Sequence, residues 1–365
     1  MTYDLIVIGG GPGGCATAIT ATRKGSRVLL LERERYPRHR VCGEFVSAES
    51  LALLASLLSA DQQELISSAP RISWARVFAD GSELRFEVNP PAASISRYDL
   101  DLALWNSSLR VGVDARDGCT VQSVNGESPF ALTTTAGVFH ARSIVNAAGR
   151  WSFLTSSATR NRASDERWIG VKRHFCEANP STSVDLYFFD GGYCGVQPVS
   201  YSGAKGAGIV NASAMVRADI ATDLKDVLER HPALRERSQG WDPVIDQATT
   251  SPLVFHKPEP VQRKMLQVGD AATFVDPFIG DGISMALRSG ALAAECLEPF
   301  FRNACAFEKA AAEYEELYSM RLAPVFRASS VLRKLLRIPY PIRKPAMSLL
   351  RHAPLITRQI VRMTR

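Results

Sequence analysis

Gly9, Gly11 and Gly14 fall in the spacing Gly-x-Gly-x-x-Gly, within Gly9-Gly10-Gly11-Pro12-Gly13-Gly14, directly behind the apolar run Asp4-Leu5-Ile6-Val7-Ile8. Small residues at that spacing let the backbone approach a pyrophosphate seated on a helix N-terminus, where unpaired N–H groups and the helix dipole favour negative charge. Pro12 and Gly13 belong to the same cradle. Glu32 follows eighteen residues after Gly14, at the end of a second apolar run, Val28-Leu29-Leu30-Leu31. A carboxylate there accepts hydrogen bonds from ribose hydroxyls. Strand, glycine turn, helix, strand and acid together read as a dinucleotide site, with Arg33 a candidate neighbour of the adenine or ribose.

Nicotinamide and flavin enzymes share that fingerprint, so a second stretch must separate them. Val268-Gly269-Asp270-Ala271-Ala272 ends a buried run, and Pro277-Phe278-Ile279-Gly280-Asp281-Gly282-Ile283 follows it. Asp270 can offer a carboxylate to a ribityl chain. Gly280 and Gly282, flanked by Asp281 and Ile283, let backbone amides come against a flat ring. A helix expected over about 283–297 then aims its positive end at that ring, where a reduced flavin carries negative charge. These residues point to noncovalent FAD.

Taken with further motifs, the chain resembles FAD-dependent oxidoreductases of the para-hydroxybenzoate hydroxylase superfamily, and within it the geranylgeranyl reductase-like group. The resemblance spans most of residues 3–300. Besides the two signatures it rests on Pro37-Arg38-His39-Arg40-Val41-Cys42-Gly43-Glu44, on Ser96-Arg97-Tyr98-Asp99-Leu100-Asp101, and on Ala147-Ala148-Gly149-Arg150-Trp151-Ser152. It implies that Arg40, Val41 and Cys42 lie along the pyrophosphate and ribityl chain, that Arg97 contacts the cofactor, and that the Val121 backbone meets the adenine.

Cys42 and Tyr193 are the candidate catalytic residues. A thiol at position 42 either hands a proton to the reacting carbon or fills space as a small hydrophobe. Glu44 is expected to brace its loop rather than act as an acid. Reductases of the resembled group carry Tyr-x-Trp-x-Phe-Pro on a substrate-facing strand, and the related flavin halogenases Trp-x-Trp-x-Ile-Pro. This chain has Tyr193-Cys194-Gly195-Val196-Gln197-Pro198. Gly195 and Gln197 in place of bulky residues are expected to open the pocket and add an amide, which argues against a plain prenyl chain and against halogenation. His174 and His256 are acid–base candidates by type alone, with a structural role the expectation for each.

The elements that must position these groups follow from the hydrophobic pattern. Helices are expected at about 47–58, 98–109 and 219–230, and strands within 71–95, at 119–125, 130–135 and 138–147, through 168–213 and at 265–268. The fold class is therefore α/β: a Rossmann-like FAD-binding domain, discontinuous over 1–70, 96–160 and 253–315, with an inserted, mostly antiparallel β substrate domain, 71–95 and 161–252, and a C-terminal helical tail, 316–365.

The 365 residues carry a net charge of +6, but residues 317–365 hold eleven Lys/Arg and no Asp or Glu, leaving the first 316 residues at −5. Within that tail Phe326 to Ile338 fits a basic amphipathic helix, either a cap with solvated charges or a dock for an anionic membrane or an acidic carrier protein. The basic residues lack the interleaved aromatics of a nucleic-acid surface. The seven cysteines show no metal-ligand spacing, so no metal site is expected. A reducing cytoplasmic setting is, with peripheral attachment to the inner membrane face through 326–365 as an extension, and no secretory leader or membrane span.

The function these readings support is an oxidoreductase that reduces or dehydrogenates a carbon–carbon bond of a hydrophobic or carrier-protein-bound substrate by hydride transfer at flavin N5. No second Gly-x-Gly-x-x-Gly provides a nicotinamide domain, so NAD(P)H is expected only as a transient donor. The alternatives are a monooxygenase acting on an aromatic or polyketide ring, and a noncatalytic flavin- or lipid-binding protein.

Overall fold

The computed structural model describes residues 2–150, 154, 167–204, 208–250, 253, 255–327 and 329. Trp151, Ser152 and nearly all of the basic segment 326–365 lie outside the described residues.

Thr2–Ile8 is the centre of the first sheet. Parallel neighbours are Val28–Leu31 on one side and Gly137–Asn146 on the other, extended by Asp114–Arg116 and by Met265–Gln267. Leu5, Ile6 and Val7 are fully buried because both faces of the strand are covered, as the apolar runs of a parallel sheet require. Val121–Asn125 and Phe130–Thr134 continue Gly137–Asn146 as an antiparallel flap.

One face carries three helices. Pro12–Arg23 starts on a proline, which suits the first helical position, and ends before Gly25 at φ +90°. Gly282–Phe301 crosses it so closely that Thr17 Oγ1 donates to both Gly13 O (2.8 Å) and Gly290 O (3.1 Å). A Cβ on Gly290 would drive into the Gly13 carbonyl, and one on Gly14 into the Gly9 carbonyl. Arg97–Arg110, capped by Ser96, packs on the other side of Pro12–Arg23.

The second sheet runs Phe45–Val46, Ser82–Ser94, Arg71–Ala79, Ser183–Phe189, Gly192–Pro198, Ile209–Arg217 and Trp168–Cys176. Every pairing along it is antiparallel except that of Ser183–Phe189 with Arg71–Ala79. A separate core lies under it, where Val171, Val196, Val210 and Val216 meet Leu224, Val227 and Leu234. The mixed α/β class and the Rossmann-like sheet are as expected from sequence.

Three expectations shift. The helix expected near 219–230 is two short ones, Leu224–Leu228 and Pro232–Arg237, because His231 caps a new start in front of a proline that cannot continue the first. The helix expected to begin at 283 begins at Gly282 and runs to Phe301. The boundary at 315/316 falls inside Phe307–Arg321, whose Tyr314 hydroxyl donates to the Gln267 carbonyl at 2.8 Å and ties the helix to the first sheet.

Gly290→Ala should therefore destabilise the protein by about 1–3 kcal/mol through overpacking. Urea unfolding will show it as a lower midpoint at unchanged slope.

Candidate functional site

The crossing of Pro12–Arg23 and Gly282–Phe301 brings two helix starts from opposite ends of the chain to one cavity. Its wall includes Gly11, Pro12 and Gly13 from one start and Gly280, Gly282 and Ile283 from the other. Neither N-cap residue, Gly11 or Asp281, closes its helix with a side-chain hydrogen bond. Uncapped amides at a helix start favour anions. Gly280, at φ +78°, sits where a side chain would strike the Phe45 ring, while Gly282 has open space around it. Gly9, at φ +105°, backs against Ala147. The cradle therefore fits the phosphates and flat ring of FAD: a bare backbone, two positive helix ends and no side chain in the way.

Glu32, Arg38 and Arg97 complete that cradle. Glu32 Oε2 accepts from Gly10 N (2.8 Å) and Arg38 Nη2 (3.1 Å), and Oε1 from Glu34 N (3.0 Å), which holds the carboxylate over the glycine loop. The Cys119 amide donates to the Glu32 carbonyl, so Val121 starts its strand close by. Arg97 is clamped bidentately by Asp101 (2.6 and 2.8 Å). Burial opposes its charge, but Asp101 outweighs burial and raises its pKa. Arg38 went unselected in the sequence. It is buried 4.2 Å from the Tyr36 ring, and three carboxylates answer its charge, Glu32 (3.1 Å), Glu34 (3.5 Å, on Nε) and Asp101 (3.8 Å), so that it ties the loop after Glu32 to the helix of Arg97. The signal was there, an arginine two positions before Arg40. Arg40 itself turns toward Glu34 (3.0 Å) and Glu32 (3.9 Å), and exposed Arg33 toward Glu34. Asp281 is buried behind the start of its helix.

Val41, Cys42, Gly43 and Glu44 form one wall of the cavity. Enclosure pushes the Cys42 thiol up, so it stays protonated. Asn211 Nδ2 donates to its carbonyl (3.0 Å), and the Glu44 amide points at its sulfur (3.3 Å). Glu44 is fully buried. It accepts from Lys172 Nζ, from His174 Nε2 (2.7 Å) and from the Arg97 amide (2.7 Å). Burial works to raise its pKa, but the ammonium and imidazole beside it hold the carboxyl at about 2. The brace expected of Glu44 thus has a physical form: a buried Lys–Glu–His knot between the loop and strand Trp168–Cys176. Sequence spacing could not join residues 44, 172 and 174.

Asp270 and Arg150 face each other at 3.7 Å, Nε to Oδ2. Enclosure in the cavity raises the Asp270 carboxyl against the pull of Arg150 and Arg97.

Tyr193, Met215, Leu253 and Phe274 make the remaining wall an apolar, aromatic one, backed by Phe188, Phe255 and Phe278. Burial pushes the Tyr193 hydroxyl well above 10. The expected effect of Gly195 and Gln197 does not materialise. Leu186 fills the space over Gly195, and Gln197 spends its amide on Ser94 Oγ (2.6 Å). Neither lines the cavity. His256 bonds to the neighbouring Lys257 carbonyl and also lies off it.

Comparison with known proteins agrees with this geometry. The FAD dependent oxidoreductase family matches residues 4–59. A 1H-pyrrole-2-carbonyl-[peptidyl-carrier protein] brominase of Pseudoalteromonas luteoviolacea (strain 2ta16) is 23% identical over 319 residues, 81% of this chain and 77% of that protein. A digeranylgeranylglycerophospholipid reductase of Thermoplasma volcanium is 27% identical over 322 residues, 80% of this chain and 77% of that protein. Among solved structures, flavin-dependent brominase Bmp2 superposes with a TM-score of 0.79 at 20% identity, covering 100% of this chain and 93% of its own. A geranylgeranyl bacteriochlorophyll reductase-like protein from Thermoplasma acidophilum gives 0.73 at 22%, covering 93% and 88%. The chain is an enzyme, an FAD-dependent oxidoreductase. Its relatives are halogenases as well as reductases, so the narrower reductase-like placement expected from sequence is not established.

Lys172→Met should cost about 3–5 kcal/mol of stability by stranding the Glu44 charge, with much of the loss recovered in the Lys172→Met/Glu44→Gln pair. Because the folded carboxyl is depressed to about 2 from an ordinary value of 4.5, its contribution is complete above pH 4.5 and is lost as pH falls toward 2. Urea unfolding across that window will show Glu44→Gln losing the dependence.

Proposed function

We propose that this chain uses FAD and molecular oxygen to halogenate an electron-rich aromatic ring, presented free or on a carrier protein. The observation that carries the reading is the apolar wall of Tyr193, Phe274 and Met215, two of its three side chains aromatic, lining the same cavity as the two helix starts. Such a wall takes a flat ring by offset and edge-to-face packing. The objection raised by Gly195 and Gln197 loses its basis once Leu186 is seen to occupy the space over Gly195 and Ser94 to take the Gln197 amide, so that neither residue lines the cavity. The similarity to a brominase whose name specifies a carrier-bound pyrrole supports both the reaction and the mode of presentation.

FAD, when bound, supplies the two-electron redox chemistry, and the protein supplies position and electrostatics. Gly9, Gly11, Pro12, Gly13, Gly14, Glu32 and Arg97 would hold its nucleotide half, and Asp270, Gly280, Gly282 and Ile283 its ring and ribityl chain. Tyr193, kept protonated by burial, donates a hydrogen bond into the cavity and orients the substrate ring. Leu253 and Met215 exclude water from that side. NAD(P)H or another external donor would deliver electrons transiently.

Reduction of a carbon–carbon double bond is the second reading. Cys42 favours it, a buried protonated thiol on the cavity wall within a Pro-Arg…Cys-Gly-Glu stretch, as does the similarity to a lipid reductase.

The test is anaerobic photoreduction of the holoprotein, then mixing with bromide and phenol or pyrrole-2-carboxylate, the latter free and as a carrier thioester, with and without oxygen. Brominated product requiring both oxygen and bromide is the expected result. Hydroxylated product independent of bromide, or flavin reoxidation by an alkene without oxygen, would replace this reading. Tyr193→Phe should lower kcat about tenfold or more while leaving FAD affinity unchanged, since one hydrogen-bond donor aimed at the reacting ring is removed.

A further inference from the structure

Among the described residues, Arg150 is the cavity-lining guanidinium that its own surroundings leave undercompensated. Arg97, the other arginine of that wall, has Asp101 in a two-point clamp. Among the described residues Arg150 has a single carboxylate within reach, Asp270 at 3.7 Å, beyond hydrogen-bond distance. Its Nη2 donates to Thr250 Oγ1 at 3.3 Å, and its Nη1 is buried without an acceptor among the described residues. Burial lowers its pKa and Asp270 restores only part of that, so the charge is short of a counter-charge. A buried donor left unmade costs about 1–3 kcal/mol, more when charged. A ligand oxygen arriving there removes that cost.

The position of Arg150 says which ligand. Its guanidinium lies over the Phe274 ring, 4.2 Å from the centroid, and Phe274 belongs with Tyr193, Met215 and Leu253 to the apolar, partly aromatic wall. Trp168, packed against the same cluster, holds a second buried donor, Nε1, with no acceptor among the described residues. The glycine cradle has its own donors in two helix starts and Arg97. Building on the aromatic-ring reading above, we propose that Arg150 receives an anionic oxygen of the substrate, a carboxylate or phenolate, at the end of the aromatic wall. Substrates would then be aromatic anions, a free aromatic acid or a phenol borne free or on a carrier, held by a charge-assisted hydrogen bond at one edge and by ring packing along the face, with an uncharged carrier thioester such as pyrrole-2-carbonyl the weaker ligand.

The experiment titrates FAD-loaded protein with benzoate and with benzamide, its uncharged analogue, and follows the visible flavin band without turnover. Benzoate should bind about tenfold or more tightly than benzamide. Arg150→Met should abolish that preference, Arg150→Lys should keep part of it, and FAD affinity should change less than about twofold. Equal binding of the two probes by the native protein overturns the proposal. So does a loss of FAD affinity in Arg150→Met or Arg150→Lys that parallels the loss of benzoate binding, which would assign the guanidinium to the cofactor's phosphates. Because no turnover is measured, a failure to halogenate leaves this result standing, and the reverse also holds.

Discussion

Backbone-to-backbone contact between two helices almost three hundred residues apart is what the site depends on. Pro12–Arg23 and Gly282–Phe301 cross where Gly13 meets Gly290, with the Thr17 hydroxyl bridging the two carbonyls. Any side chain at that point would separate the helices. Separation would move one uncapped N-terminus away from the other, and the cavity would lose one of its two positive ends. Close packing, a short-range steric fact, thereby sets the long-range electrostatics of the cofactor site.

Charge around the cavity is arranged in two classes. Some groups are answered from within the fold: Glu44 by Lys172 and His174, Arg97 by Asp101, Glu32 by Gly10 and Arg38. These fix the loops that carry Cys42 and the glycines. Others are left with spare capacity, namely the two helix starts and one nitrogen of Arg150. A folded protein rarely leaves buried donors unmatched without a ligand to match them. The unmatched set spreads from the phosphate cradle to the aromatic wall, as a dinucleotide and a second, flat ligand would require.

A shared fold does not choose between the reactions of its relatives, because function resides in the groups a site presents. Halogenases and reductases superpose on this chain almost equally well. What distinguishes the cavity is its wall: Tyr193 with a hydroxyl that does not ionise, Phe274 under a guanidinium, and Cys42 protonated beside a locked carboxylate. Aromatic contact and a partly unmatched guanidinium are what the proposed substrate reading rests on.

Local spacing was enough to read the parallel strands, the two glycine signatures and Glu32, since strand, turn and helix start are written within short windows of sequence. Arg97 and Cys42 were named through the family resemblance, and both line the cavity. The fate of Gly195 and Gln197 was not legible, because what a residue adds to a pocket depends on its neighbours across the sheet, here Leu186 and Ser94. Nor was the Glu44–Lys172–His174 knot, whose members come from two sheets' worth of chain apart, or the undercompensation of Arg150, which is a property of what fails to surround it. Sequence by itself pointed to FAD, because both glycine signatures are local. Only the tertiary structure decided the shape and charge of the wall that faces the substrate, because burial and distance are created when distant segments pack.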